Sequence, residues 1–93
     1  MSLGLVEKRV LEELKKDKDL RLMYEAVFRK RQGAAFIIAE FAGIPEDKAL
    51  PLLRKLQELG LVDSIGGLGS ERYKNYYLTS KGFLNAGLIG LAE

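Results

Sequence analysis

Residues 43–62 read Gly43-Ile44-Pro45-Glu46-Asp47-Lys48-Ala49-Leu50-Pro51-Leu52-Leu53-Arg54-Lys55-Leu56-Gln57-Glu58-Leu59-Gly60-Leu61-Val62. Gly43 and Ile44 make a short corner after an apolar stretch, Phe36 to Ala42. Pro45 suits the first position of a new helix, where a missing N–H costs nothing. Ala49, Leu53 and Leu56, flanked by Leu52, recur on one face at helical spacing, and Gly60 stands where that helix should stop. Two helices joined by a short glycine-containing corner form a helix-turn-helix unit. The chain then runs directly into a strand, so 61–79 reads as a hairpin attached to the unit.

Downstream, Leu61 to Ile65 is the first expected strand, Gly66-Gly67-Leu68-Gly69-Ser70 a flexible tip, and Arg72 to Thr79 the return strand. The return strand holds the β-favouring Tyr73, Tyr76 and Tyr77, and alternation puts Tyr76 and Leu78 on the core side. A glycine tip also invites a phosphate-cradling reading, but this one opens no helix, and a hairpin turn is the better account. Thr79 can cap a last helix over 80–91, with Phe83, Leu84, Leu88 and Leu91 as its stripe. Gly82, Gly87 and Gly90 each weaken that helix by about 1 kcal/mol relative to alanine, so it needs a packing partner.

Upstream, Leu3, Val6, Val10 and Leu14 make one stripe of an amphipathic helix over 3–16. The alternating charges of Lys15-Lys16-Asp17-Lys18-Asp19 form a solvated connection, and Asp19 is placed to cap the next helix. That helix, 19–32, carries Leu20, Met23, Tyr24, Val27 and Phe28 at every expected step and closes on Arg29-Lys30-Arg31. The triplet either stabilises a helix C-terminus, at roughly 0.3–1 kcal/mol per exposed cation, or contacts phosphate. Helix 34–42 directs Ala35, Ile38, Ala39 and Ala42 inward, yet Phe36, Ile37 and Phe41 on its other side are apolar too. A helix hydrophobic all round is normally buried all round. The first helix, with its matching stripe, is the expected cover; a second copy of the chain is the alternative. With 45–59, three helices build the core of one domain spanning 1–93.

At 93 residues the chain has room for one core but not for a core plus an enclosed active site. It contains no cysteine and no histidine. Thiol chemistry is excluded, and the commonest general base and metal ligand is missing. No acidic loop of calcium-binding spacing occurs. No enzyme, cofactor or metal site is expected. The net charge of +2 is too small to signal nucleic-acid binding alone. No apolar run reaches the roughly 20 residues that span a bilayer, and no signal peptide is visible, so a cytoplasmic location without membrane contact is expected. Met1-Ser2-Leu3 and the terminal Glu93 have the look of added ends, which points to a longer natural protein.

The order helix, helix, turn, helix, hairpin, helix resembles the winged helix-turn-helix domains of bacterial and archaeal transcription regulators, the MarR-like and PadR-like groups above all. Gly43-Ile44, Leu52-Leu53-Arg54-Lys55-Leu56, Gly60-Leu61-Val62 and Tyr76-Tyr77-Leu78-Thr79-Ser80-Lys81-Gly82 carry the likeness, over residues 20 to 84 with the spacing kept. The implied fold is mainly α with a small β-hairpin, a winged helix-turn-helix with extra helices at both ends. The resemblance further implies that helix 45–59 enters a major groove with its early residues on base edges. Those positions are here Pro45, Glu46, Asp47, Lys48, Leu50 and Pro51. Base edges call for donors and acceptors, so this tip departs from the pattern.

Two functions follow. In the first, the chain is a homodimeric regulator of transcription that binds double-stranded DNA. Lys48, Arg54 and Lys55 act from the helix, Arg72, Tyr73 and Lys74 from the wing, and Arg29, Lys30 and Arg31 add phosphate contacts. In the second, it is a winged-helix module that meets another protein without sequence-specific DNA binding. Phe36, Ile37, Phe41, Leu88 and Leu91 are the candidate dimer or partner surface in either case.

Overall fold

Helical spacing of Leu20, Met23, Tyr24 and Val27 turns one face of α2 (Lys18–Lys30) wholly inward, and the rest of the molecule packs around it. The computed structural model describes residues 3–67, 69–70 and 73–88, with side-chain environments from Lys8 to Ala86. Against α2 lie α1 (Leu3–Lys16), α3 (Ala35–Ala42) and α4 (Glu46–Glu58). Each contributes small or branched side chains to one core: Val10 and Leu14; Ala35, Ile38 and Ala39; Ala49, Leu53 and Leu56. Each fully buried large side chain is worth about 1.5–3 kcal/mol of transfer free energy. The side chains of Leu3 and Val6 lie outside the described environments.

The cap of α2 is Asp17, not Asp19. Asp17 is extended and its carboxylate accepts the N–H of Leu20 at 3.1 Å. Asp19 is already helical and adds only charge to the first turn, where it favours the helix dipole.

The corner between α3 and α4 is a Schellman turn. Gly43 takes φ 73°, the Ile44 N–H donates to Ala39 O at 3.0 Å and the Gly43 N–H to Glu40 O at 3.1 Å. Ile44 is buried as the turn's apolar contact, which keeps the chain extended through Pro45. Pro45 is therefore the residue before the helix rather than its first, and its carbonyl accepts the N–H groups of Lys48 and Ala49. Helix α4 ends in the same way. Gly60 takes φ 79°, Leu61 N–H reaches Leu56 O at 3.0 Å and Gly60 N–H reaches Gln57 O at 2.9 Å. Pro51 lies inside α4 on the exposed side.

The hairpin belongs to a three-stranded antiparallel sheet. Strands β2 (Val62–Ile65) and β3 (Asn75–Leu78) pair as Val62 with Leu78 and Ile65 with Asn75. On the other edge of β3 runs β1 (Gln32–Ala34), with Gln32 opposite Tyr77 and Ala34 opposite Asn75, giving the order β1-β3-β2. Gln32 was expected to finish the preceding helix and Ala34 to open the next. Arg31, at φ 72° and ψ −50°, turns the chain out of α2, and the next three residues find ladder partners on β3 instead. Alternation along β3 buries Tyr76 and Leu78, as expected.

Where the wing returns, the two landmark stretches meet. Thr79 precedes α5 (Ser80–Leu88) and its hydroxyl oxygen accepts the N–H of Gly82 at 3.0 Å. The same hydroxyl donates to Gly60 O, the Thr79 N–H donates to Leu61 O, and Lys81 Nζ donates to Leu59 O at 2.8 Å. The Tyr24 hydroxyl donates to Gly82 O from within the core. Burial pushes the Tyr24 pKa up, so it serves as a neutral donor. A Cβ on Gly82 would lie 2.1 Å from Leu61 O. This contact sets the rotation of α5, and it overturns the expected stripe. Phe83 and Leu84 are 44% and 55% exposed, while Asn85 and Ala86 are buried. The side chain of Leu88, and Leu91 altogether, lie outside the described residues.

Candidate nucleic-acid interface

Helix α4 and the strands β2 and β3 present the surface on which the proposed contacts would fall. Lys48 is exposed near the start of α4, on a depression of about 310 Å³ lined also by Asp17, Asp19, Asp47, Pro51 and Leu52. The starts of α2 and α4 come together here, and each carries acidic residues that favour its own dipole. Lys48 thus works beside three carboxylates. Among the described residues no group of three or more acidic side chains is placed to hold a metal ion.

Further along α4, Arg54 is exposed. Lys55 is turned toward α1, with its ammonium 2.8 Å from Glu13 Oε2, and Lys16 stands 3.5 Å from the other Glu13 oxygen. The hydrogen bond from Lys55 holds the Glu13 carboxyl below the usual carboxylate range. The Lys55 ammonium is raised in return, through the same bond. Lys55 therefore ties α4 to α1. At the far end, Gln57 Nε2 reaches Asp63 Oδ1 at 3.4 Å and Ser64 Oγ at 3.3 Å, joining α4 to β2.

On the wing, the stem of Lys74 crosses Gly67 closely enough that a Cβ there would sit 2.6 Å from Lys74 Cγ. Gly67 has φ 93°, so both space and backbone call for glycine. Tyr73 is 58% exposed and meets the edge of Phe36 on α3, with ring centroids 6.0 Å apart. Arg72 lies outside the described residues. Asn75 Nδ2 donates to Gln32 Oε1 at 3.3 Å, tying the wing base to β1.

The basic triplet is engaged elsewhere. Arg29 Nε is 3.0 Å from Glu25 Oε1, and Lys30 Nζ lies 5.5 Å from the Phe41 ring centroid. The Arg31 guanidinium lies 5.6 Å and 5.7 Å from the rings of Phe28 and Phe83, which themselves meet edge to face. Lys30 thus lies over aromatic surface of α3, and Arg31 over the ring pair that joins α2 to α5.

No protein-family model and no curated protein matches the sequence. Solved structures do match. A MarR family regulator from Neisseria meningitidis is 15% identical, with a TM-score of 0.72 over 90% of this chain and 59% of that one. A MarR family transcriptional regulator from Silicibacter pomeroyi is 18% identical, with a TM-score of 0.70 over 95% of this chain and 61% of that one. The fold is that of the MarR-type winged helix-turn-helix. A double mutant of Lactococcus lactis ZitR is similar at 28% identity, with a TM-score of 0.58 over 77% of this chain and 47% of that one. This winged helix thus spans less than two thirds of the length of the regulators it matches. Among the described residues no helix is long and apolar enough to cross a membrane.

In the winged helix, then, the structure brings Lys48 and Arg54 to exposed positions on α4 and puts Tyr73 and Lys74 on the return side of the wing. It sets Lys55 and the 29–31 triplet against other parts of the chain. The expected cover of the α3 surface is corrected: α1 lies against α2 and the Lys55 flank of α4, and leaves Ile37 and Phe41 40% and 51% exposed. Sequence reasoning missed the carboxylates of Asp17 and Asp19 beside Lys48, because no local signal brings the start of α2 to the start of α4.

Proposed function

We propose that this chain is a DNA-binding regulator of transcription, cytoplasmic and homodimeric, which lays α4 toward the major groove and its wing along the phosphates. The fold supports this reading, and so does the junction at Gly60 and Thr79, which holds α4 and the wing in one fixed relation. Lys48 and Arg54 supply cations from α4, and Lys74 with Arg72 supplies them from the wing, where Tyr73 can donate to a phosphate. Arg29, Lys30 and Arg31 are secondary contacts, and Lys55 acts as a strut to α1.

Binding to random duplex DNA, followed by fluorescence anisotropy over a salt series, tests the reading. Each phosphate contact contributes about 0.9 to the slope of log K against log salt. Arg72→Ala/Lys74→Ala should lower the slope by roughly two such units. An alternative reading has its own observation, namely the three carboxylates around Lys48 at the tip of α4. It makes the chain a module for protein contacts, and absence of DNA binding at low salt would favour it.

A further inference from the structure

The ladder between β1 and β3 has a continuation. Its pairs run Gln32 with Tyr77, Gly33 with Tyr76 and Ala34 with Asn75. Two places beyond the last pair, on the same register, stand Phe36 and Tyr73. Strand β1 has by then become α3, yet the two rings still meet edge to face, with centroids 6.0 Å apart and planes at 77°. In that arrangement the electron-poor edge of one ring meets the electron-rich face of the other.

The two rings are anchored differently. Phe36 is half-buried in the first turn of α3, a helix rooted in the core by Ala35, Ile38 and Ala39. Tyr73 leaves the turn of the wing, its amide donating to Ser70 O at 3.2 Å, and it is 58% exposed. A tyrosine on the outside of a hairpin keeps its rotamer freedom unless a neighbour removes it, and ordering such a side chain on binding costs affinity. Phe36 removes that freedom before any partner arrives. Lys74, the next residue, is held separately, by the close approach of its stem to Gly67. Apolar character alone would leave Phe36 with Ile37 and Phe41 on an outer surface, but the wing claims it. We propose that Phe36 is a positioning residue of the DNA interface, which holds the Tyr73 ring where its hydroxyl donates to a phosphate. This deepens the DNA-binding function proposed above and rests on it.

A double-mutant cycle on random duplex DNA at low salt, read by fluorescence anisotropy, is the test. Tyr73→Phe keeps the ring and removes the hydroxyl, and should weaken binding roughly tenfold, as loss of a hydrogen bond to a charged group does. Phe36→Leu keeps apolar bulk but removes the ring, and should weaken the parent roughly threefold or more. In the Tyr73→Phe background the same change should cost almost nothing, because no hydroxyl is left to aim. A purely structural role would weaken both backgrounds alike, so equal losses overturn the proposal. Phe36→Tyr restores a ring and should bind several-fold more tightly than Phe36→Leu; no difference between them overturns the ring contact. Circular dichroism melts check each fold, and Phe36→Met closes the same cycle if Phe36→Leu melts early. Full affinity in either Phe36→Leu or Tyr73→Phe overturns the proposal and leaves DNA binding standing. A parent that binds no DNA at low salt overturns both.

Discussion

Substituting Gly82 by alanine probes the joint on which the wing and α4 depend. The added Cβ would lie 2.1 Å from Leu61 O and 3.0 Å from Leu78 Cδ2. Optimal carbon contacts fall at about 3.5–4.0 Å, and the nearer obstacle is backbone, which cannot rotate away as a side chain can. Opening that gap shifts α5 away from the end of α4. It strains the Thr79–Gly60 and Lys81–Leu59 bonds and pulls the Gly82 carbonyl from the Tyr24 hydroxyl. Overpacking costs about 1–3 kcal/mol, and a buried polar group left unsatisfied costs about 1–3 kcal/mol more. Alanine returns about 1 kcal/mol of helix propensity. Taking the middle of each range, the balance is a loss of about 3 kcal/mol. At about 4–8 °C per kcal/mol for a domain of this size, the melting temperature should fall by roughly 10–25 °C. Urea and thermal unfolding followed by circular dichroism measure it. Gly66→Ala is the control, with φ 75° and nothing within 4 Å of the added atom, so only backbone strain of about 1–2 kcal/mol applies. A Gly82→Ala protein within 0.5 kcal/mol of the parent, or more stable than Gly66→Ala, would refute the reasoning.

Tyr24→Phe should cost about 1–3 kcal/mol in the same unfolding assay, because the Gly82 carbonyl loses its buried donor. With its folded pKa raised by burial, Tyr24 contributes stability that is complete below its unfolded pKa of about 10 and declines as pH rises beyond it. Above about pH 10 the stability of Tyr24→Phe should therefore fall less steeply with pH than that of the parent, and identical slopes would count against it. On DNA, Arg54→Ala should lower the salt slope by about 0.9, whereas Lys55→Ala should leave it unchanged because that ammonium is held by Glu13. Equal slopes for the two variants would contradict these assignments. Asp47→Asn should tighten binding by roughly 3-fold at low salt and lose that gain as ionic strength rises, because it removes a like charge from the phosphate side. A salt-independent change, read by anisotropy, would rule out the electrostatic account.

The helices were legible because their apolar spacing is strong and two glycines mark the ends that matter. Gly43 and Gly60 both adopt positive φ and close equivalent turns. Strand β1 was not legible, because Gln32-Gly33-Ala34 is too short to carry a period and owes its conformation to partners on β3. The outward set of α5 was misread for a related reason. Its apolar residues form a convincing stripe, but the helix is oriented by Gly82, which has no side chain to count. For the candidate interface, residue type was readable and engagement was not. Lys55 looks like any cation on α4 until Glu13 of α1 is seen beside it. The three carboxylates near Lys48 come from two helices whose neighbourhood is a tertiary fact.

The bonds that finish α4 come from residues synthesised well after it. The carbonyls of Leu59 and Gly60 receive Lys81 and Thr79, and Leu61 receives the Thr79 amide. A nascent chain that has only just cleared α4 already closes the helix through Gly60 and Leu61, but it can solvate those three oxygens with water alone. The helix is thus a product of its own stretch of sequence, whereas its bearing toward the wing is fixed only by residues that follow the hairpin.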